Sequence, residues 1–517
     1  MNIKYFINGR FYGSATPRQY VECLITENGF IKYAGNEKEA EEMLGNAAYE
    51  VVDMHGSVVM PGFVDAHIHP DLLSESMHAI DLKNVRSIKR LKEVLQDNCD
   101  KSESEWITGY GWNESLFEEG KLPTRFDIDE VISDKAVILI RSCLHMAVVN
   151  SYGLDKAGIK VGDYQHDPDL IKNGEGVSTG LVREDLLFRI YKKIRTDTAE
   201  IFEKWLEKTF VAIMNKGITS IGITGADHNL LTIIGRVKRK GIKLRVVSYI
   251  TADELDCYIS TRHDPEIDVR GIKIFMDGSL GSGTASLTAP YCDNPESSGV
   301  TYGDTPYFAE ICQIAKKHGL QIAVHAIGDR AMDLAIDLYS KIGKGNRIEH
   351  CSLTRDDQID KIKNTGAIAV IQPLFAVDDV WAVNKLGMER MGWLYTFRRL
   401  YDEGIPVVFS SDAPSGDFDP WKIIHAAVTG GAMRDHHTES RRFTLSEGLQ
   451  CYTENGAMAI GIKAGKLING YHADFIVIDK DPYKIPVSEL PGISVKEVYI
   501  SAEKVDTGLN ANKPMKY

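Results

Sequence analysis

Residues 311–325 read ICQIAKKHGLQIAVH, an amphipathic stretch broken at Gly319 and followed at once by an apolar run ending on a histidine. A glycine at such a break adopts the left-handed conformation that closes a helix, and the apolar run directly after it reads as a buried parallel strand. The same unit recurs four more times from about residue 200 onward: FVAIMNKG before ITSIGIT at Gly217, GRVKRKG before IKLRVVSYI at Gly241, IDKIKNTG before AIAVIQP at Gly366, and RRLYDEG before IPVVFSSD at Gly404. Two further apolar runs, RGIKIFMDGS (270–279) and RIEHCSL (347–353), lie between these copies, and VVMPGFVDAHIHP (58–70) precedes them all. Eight strands alternating with helices predict an α/β chain built on a (β/α)8 TIM-like barrel, with a doubly wound open sheet as the competing layout. No G-x-G-x-x-G opens a helix after the first strand, and GSLGSGT (278–284) lacks a P-loop lysine, so that loop reads as flexible.

Outside this period the chain divides further. From about residue 71 to 200 the pattern is interrupted by material too long for one barrel loop and carrying its own strand-like AVILIRS (136–142), which predicts an inserted α+β subdomain after the first strand. KYFINGRFY near the start, with ADFIVIDKDP and VKEVYISAEKV near the end, reads as short strands with Asn or Gly turns. Residues 1–58 and 464–517 are therefore expected to pair as one small β domain flanking a barrel over 59–463.

The composition is that of an ordinary soluble globular chain: 517 residues, 43% hydrophobic and 26% charged. Sixty Lys plus Arg against 73 Asp plus Glu give a net charge of −13, which argues against a nucleic-acid partner. No window near 20 residues is continuously apolar and MNIKYFINGRFYGS lacks the layout of a signal peptide, so no membrane partner is expected. Eight cysteines without a CxxC pair suit isolated thiols in a reducing compartment, hence a cytoplasmic setting.

The chemistry collects at strand ends. His67 and His69 close the first strand two residues apart, so their imidazoles point the same way and can chelate one ion. His325 ends IAVH, His350 ends RIEH, and Asp412 follows VVFSS. Barrel active sites gather where strands deliver their last residues, and four histidines with a carboxylate suit a divalent ion, with Zn²⁺ as the expected metal. Each alone has a structural reading, as a hydrogen-bonded core histidine or a helix cap; Asp329, after HAIG, is read as such a cap. Lys273 sits on an apolar strand where an ammonium is costly to bury. It is read either as the partner of Asp277 in a salt bridge or as an amine that takes up CO2 to give a carbamate bridging two ions.

GFVDAHIHP, KIFMDGSLGSGTASL, HAIGDRAMD, RIEHCSL and SSDAP together resemble the amidohydrolase superfamily, and within it amidohydrolase family 3, which includes N-substituted formamide deformylases and many metal-dependent hydrolases. GYGWNE, LHMAVVNS, TGLVRED and GKLINGYHADFIVID extend the resemblance over nearly the whole chain. Gly283 and Val148 depart from it, since the branch often has Arg and an aromatic there. The resemblance implies a metal barrel with a composite β-sandwich, one or two divalent ions, and His67, His69, Lys273, His325, His350 and Asp412 as ligands, Lys273 being carboxylated in a binuclear site. It implies hydrolysis of a non-peptide carbon–nitrogen bond in a small amide-like substrate by metal-activated hydroxide. Lys273 and Asp412 are then the catalytic residues, Asp412 as general base and then acid. His145, Arg183, Glu184 and Trp112 are candidates for substrate contact, with Phe375 and Trp381 as further aromatics of a pocket or of the core. A hydrolytic deaminase or a lactone or ester hydrolase on the same centre, or a non-catalytic regulatory protein on this scaffold, are the alternatives. Against the deaminase, the position three residues after His325 is Gly328 instead of an acid. A homodimer is one expectation for the assembly.

Overall fold

The computed structural model describes residues 2–99, 105–160, 167–197, 199–260, 266–430, 442–506 and 508. Its largest sheet has eight strands, here β1 (Phe63–Ile68), β2 (Ile218–Ala226), β3 (Arg245–Thr251), β4 (Asp268–Phe275), β5 (Gln321–Ala326), β6 (Arg347–His350), β7 (Ile368–Ile371) and β8 (Val407–Phe409). Each pairs in parallel with the next in chain order. The last strand returns to the first: Asp412 N–H donates to His67 O at 2.9 Å and His69 N–H to Ala413 O at 3.0 Å. The sheet therefore curls into the TIM-like barrel, and the open sheet is set aside. All eight apolar runs picked out in the sequence are barrel strands. The five helix-closing glycines have φ between 65° and 94°, as the reading of the repeat requires.

Inside the barrel, buried side chains from several strands, Val408 of β8 among them, pack together. Val64, Val247, Tyr249, Ala323 and Val370 form one core cluster with Ala457 and Ile460 of the segment following β8. At the chain ends, Val58–Pro61 pairs antiparallel with Phe475–Ile478 and parallel with Arg10–Ala15 in a six-stranded sheet. Ile3–Ile7 lies in a four-stranded sheet, and Phe6, Leu24, Val59, Leu467 and Phe475 from both ends of the chain share one core. Gly62 is the step from Val58–Pro61 to β1: a Cβ there would sit 2.3 Å from Cγ2 and Oγ1 of Thr219.

The chain forms two compact units. One comprises Met1–Pro70, Glu207–Asp277 and Ala285–Tyr517, the other Asp71–Leu206 with Gly278–Thr284. The second unit is built on a six-stranded sheet in the order Leu170–Lys172, Ser178–Arg183, Met146–Val149, Ala136–Arg141, Trp106–Trp112, Ile80–Asp81. Its Leu206 bound falls within the continuous helix Ala199–Asn215.

Three sequence readings change. The GSLGSGT loop is ordered, not flexible: Thr284 Oγ1 donates to Glu184 Oε1 at 2.6 Å, Ser279 N–H donates to Thr284 Oγ1 at 3.0 Å, and a Cβ on Gly278 would lie 2.2 Å from Thr284 Oγ1. Asp329 is the first residue of helix Asp329–Ile342, whose N-cap is Gly328; its buried carboxylate accepts from Thr288 N–H at 3.0 Å and Arg355 Nη1 at 3.0 Å. Asp277 is not the partner of Lys273, since its carboxylate accepts backbone N–H groups from Ser286, Ile327 and Gly328 at 2.9, 3.1 and 2.7 Å.

Candidate metal centre

β1 delivers His67, with His69 just past its end, β4 Lys273, β5 His325 and β6 His350, while Asp412 lies three residues past β8. The structure brings His67, His350 and Asp412 closest: each offers a ligand atom, and the three atoms lie within 4.8 Å of one another. His67 Nε2 is 3.3 Å and His69 Nε2 3.1 Å from Asp412 Oδ1. The His325 ring centroid is 4.5 Å from that of His350, with His325 Nε2 3.6 Å from Asp277 Oδ1. Lys273 is 1% exposed. His350 and Asp412 hold φ of 77° and 53°, values that non-glycine residues adopt at a cost and that cluster where function fixes the backbone.

Hydrogen bonds settle which ring nitrogens face inward. His67 Nδ1 lies 2.6 Å from Glu349 Oε2, and His350 Nδ1 lies 2.9 Å from Gln372 Oε1. The carboxylate of Glu349 and the amide oxygen of Gln372, whose nitrogen donates to Ser410 Oγ at 2.9 Å, can only accept, so both histidines carry hydrogen on Nδ1. Among the described residues His67 Nε2 is buried with no hydrogen-bond partner, 3.3 Å from Asp412 Oδ1. A buried imidazole nitrogen without a partner, beside a second histidine and a carboxylate, is a donor set that a divalent ion takes, so these residues fit one.

Electrostatics agree with that donor set. Burial pushes His350 down to about 3, so at neutral pH its imidazole is neutral and able to ligate. Burial would raise Asp412, but His67 and His69 pull it well below the usual carboxylate range. Burial pushes Lys273 down to about 8 against the pull of Glu349 and Asp412, which leaves an appreciable share of free amine near neutral pH. Asp65, fully buried, is raised to about 6; its Oδ1 accepts from Ser411 N–H at 3.1 Å and its Oδ2 from Tyr452 Oη–H at 3.0 Å, tying β1 to the segment that carries Asp412.

The remaining predicted residues lie in the second unit. His145 Nδ1 is 2.9 Å from Glu184 Oε2, and Glu184 begins helix Glu184–Asp197 at φ 46°. Arg183 Nη2 donates to Pro168 O at 3.1 Å, and its Nε is 3.6 Å from Asp169. Trp112 is fully buried in a core with Ile107, Leu139 and Val148, and its indole N–H donates to Leu139 O at 2.7 Å. Phe375 and Trp381 are half-buried in the segment after β7. Glu349, Arg347 and Gln372 escaped the sequence reading. The signal for two of them was there, since charges at alternate positions of an apolar strand, Arg347 and Glu349 in RIEH, are too costly to bury without a task.

A closed parallel barrel with histidine and aspartate donors converging at its strand ends defines the metal-dependent hydrolase class. The chain belongs to the amidohydrolase family, which residues 50–505 match. It is 28% identical to "Putative amidohydrolase YtcJ" of Bacillus subtilis (strain 168) over 96% of this chain and 98% of that one. It is 24% identical to the N-substituted formamide deformylase of Arthrobacter pascens over 93% and 94%. Among solved structures it is similar to an uncharacterized metal-dependent hydrolase from Pyrococcus horikoshii OT3, with a TM-score of 0.81, 31% identity, and coverage of 94% of this chain and 99% of that one.

Proposed function

We propose that the chain hydrolyses a carbon–nitrogen bond other than a peptide bond in a small amide-like molecule. The observation that carries this is the buried, unpartnered Nε2 of His67 beside Asp412 and His350, in a chain of this family. His67, His350 and Asp412 would hold a divalent ion, Zn²⁺ by the chemistry of its donors, with His69, His325 and Lys273 completing the set. Such an ion, when bound, ionises water near neutral pH and polarises a carbonyl. Asp412, ionised and buried, accepts the proton of the attacking water on a carboxylate oxygen and returns it to the departing nitrogen. Lys273 Nζ, as free amine, could bond to CO2 with loss of one proton, and the resulting carbamate would be an anionic group able to help hold a second ion. His145, Arg183 and Glu184 are proposed substrate contacts.

The deaminase alternative meets a steric obstacle. A Cβ at Gly328 would lie 2.0 Å from Ser286 O, so no acidic side chain can occupy that position. The eight free thiols support a cytoplasmic setting, and among the described residues no helix is long and apolar enough to cross a membrane. The test is a panel of N-substituted formamides, cyclic amides, lactones and aminopurines offered to Zn²⁺-loaded protein. Amine release that a chelator abolishes and Zn²⁺ restores is the expected outcome. Turnover of lactones alone, or none with any member by fully loaded protein, would refute the assignment.

A further inference from the structure

We infer that Glu349 and Arg347 are positioning residues of the metal centre, a buried carboxylate and guanidinium that fix His67 with its Nε2 toward the ion. The inference rests on the metal reading above. Glu349 and Arg347 occupy alternate positions of β6, so both side chains leave the strand on one face. Arg347 grips Glu349 with Nε at 2.8 Å and Nη2 at 3.0 Å, and Glu349 passes its Oε2 to His67 Nδ1 at 2.6 Å. The guanidinium is itself held: Nη2 donates to Ala66 O at 2.8 Å, and the group lies 4.4 Å above the ring of Tyr249, whose hydroxyl is 2.6 Å from Gln321 Oε1. His67, Glu349 and Arg347 are all 1% exposed or less.

Stability alone does not account for this pair. Two buried charges give up their hydration, apolar residues of similar size often serve a core as well, and among the described residues Arg347 Nη1 has no hydrogen-bond partner. What the arrangement achieves is directional. Glu349 can only accept from Nδ1, so the ring is locked in one tautomer and one orientation, and the electron density that the carboxylate lends makes Nε2 a stronger donor. Arg347 keeps Glu349 aimed at the ring and ties it to the backbone of Ala66, the residue before the ligand. The chain that sets the first-strand ligand thus runs from β6 across the barrel.

The experiment measures Zn²⁺ affinity by competition with a chromophoric chelator, on the full chain stripped of metal and reloaded, alongside the melting temperature of the stripped form. Glu349→Gln is expected to weaken affinity about 10- to 100-fold and to alter the visible spectrum of the Co²⁺-loaded protein, with the stripped form still folded. Because removing one charge strands the other, the pair Arg347→Met with Glu349→Leu is measured too; it should fold at least as stably without metal and bind Zn²⁺ more weakly. Affinity within twofold of wild type in either folded variant overturns the inference, as does an affinity loss that only tracks a loss of metal-free stability. Should neither variant fold, a Zn²⁺-soaked crystal of the wild type decides: His67 bound through Nε2 with Nδ1 on Glu349 upholds it, and binding through Nδ1 overturns it. A wild type that takes up no divalent ion sinks the metal reading and this inference together, whereas equal binding by wild type and variants sinks this inference alone.

Discussion

Asp412 and His325 reach the centre by different routes, and the difference sets what their loss does. Asp412 has its carboxylate within 3.3 Å of two histidine nitrogens and is held ionised among them. Asp412→Asn is expected to lower kcat about 10²- to 10⁴-fold while KM changes little, and near wild-type turnover in steady-state kinetics would remove it from the proton transfer. The His325 ring meets that of His350 edge-on, and with His325 as a proposed ligand His325→Asn should lower metal content and turnover together. Elemental analysis showing unchanged occupancy would count against its ligand role. The five strand-end donors were legible in the sequence because each sits at the end of an apolar run, a local signal. The pairing of Glu349 with His67 was not, because the two are 282 residues apart and only the fold brings them together.

Helix, glycine and strand repeat because each piece is locally determined, and the elements fail one at a time when such a piece is changed. Gly62 joins the terminal sheet to β1 with no room for a side chain; Gly62→Ala should cost about 1–3 kcal/mol in urea unfolding, and Thr219→Ala in the same chain should recover part of it. Asp481 ties the two chain ends, accepting from Arg10 Nη1 at 2.6 Å, Tyr12 Oη–H at 2.7 Å and Tyr483 N–H at 3.1 Å. Burial raises its carboxyl, but the bonds from Tyr12 and Arg10 hold it below the ordinary value. A carboxyl depressed in the folded state adds stability above its unfolded value, near pH 4, and loses it as pH falls through the folded value. Asp481→Asn should therefore destabilise by about 1.5–3 kcal/mol at pH 7, with the gap to wild type closing in acid. Equal melting temperatures at pH 7 would refute that role. The insertion was legible as an interruption of the period, and the helix Ala199–Asn215 runs unbroken past the bound at Leu206.

At the scale of the whole molecule, an ion that binds only the folded barrel stabilises it by mass action, by about 2.7 kcal/mol at a hundredfold excess over Kd. Chelation should therefore lower the melting temperature of wild type, and lower it less in His325→Asn; identical melting curves with and without chelator would show that no ion is linked to folding. By itself the sequence determined the count and order of the barrel strands, the glycine-closed helices, and which strand ends carry nitrogen and oxygen donors, because period and capping are read within a dozen residues. Only the tertiary structure decided that the GSLGSGT loop is pinned to Glu184, that Trp112 is buried beside Leu139, that Asp329 is no cap, and that Glu349 lies against His67 Nδ1. Those facts depend on ring closure and strand register, which bring together atoms that no spacing along the chain relates.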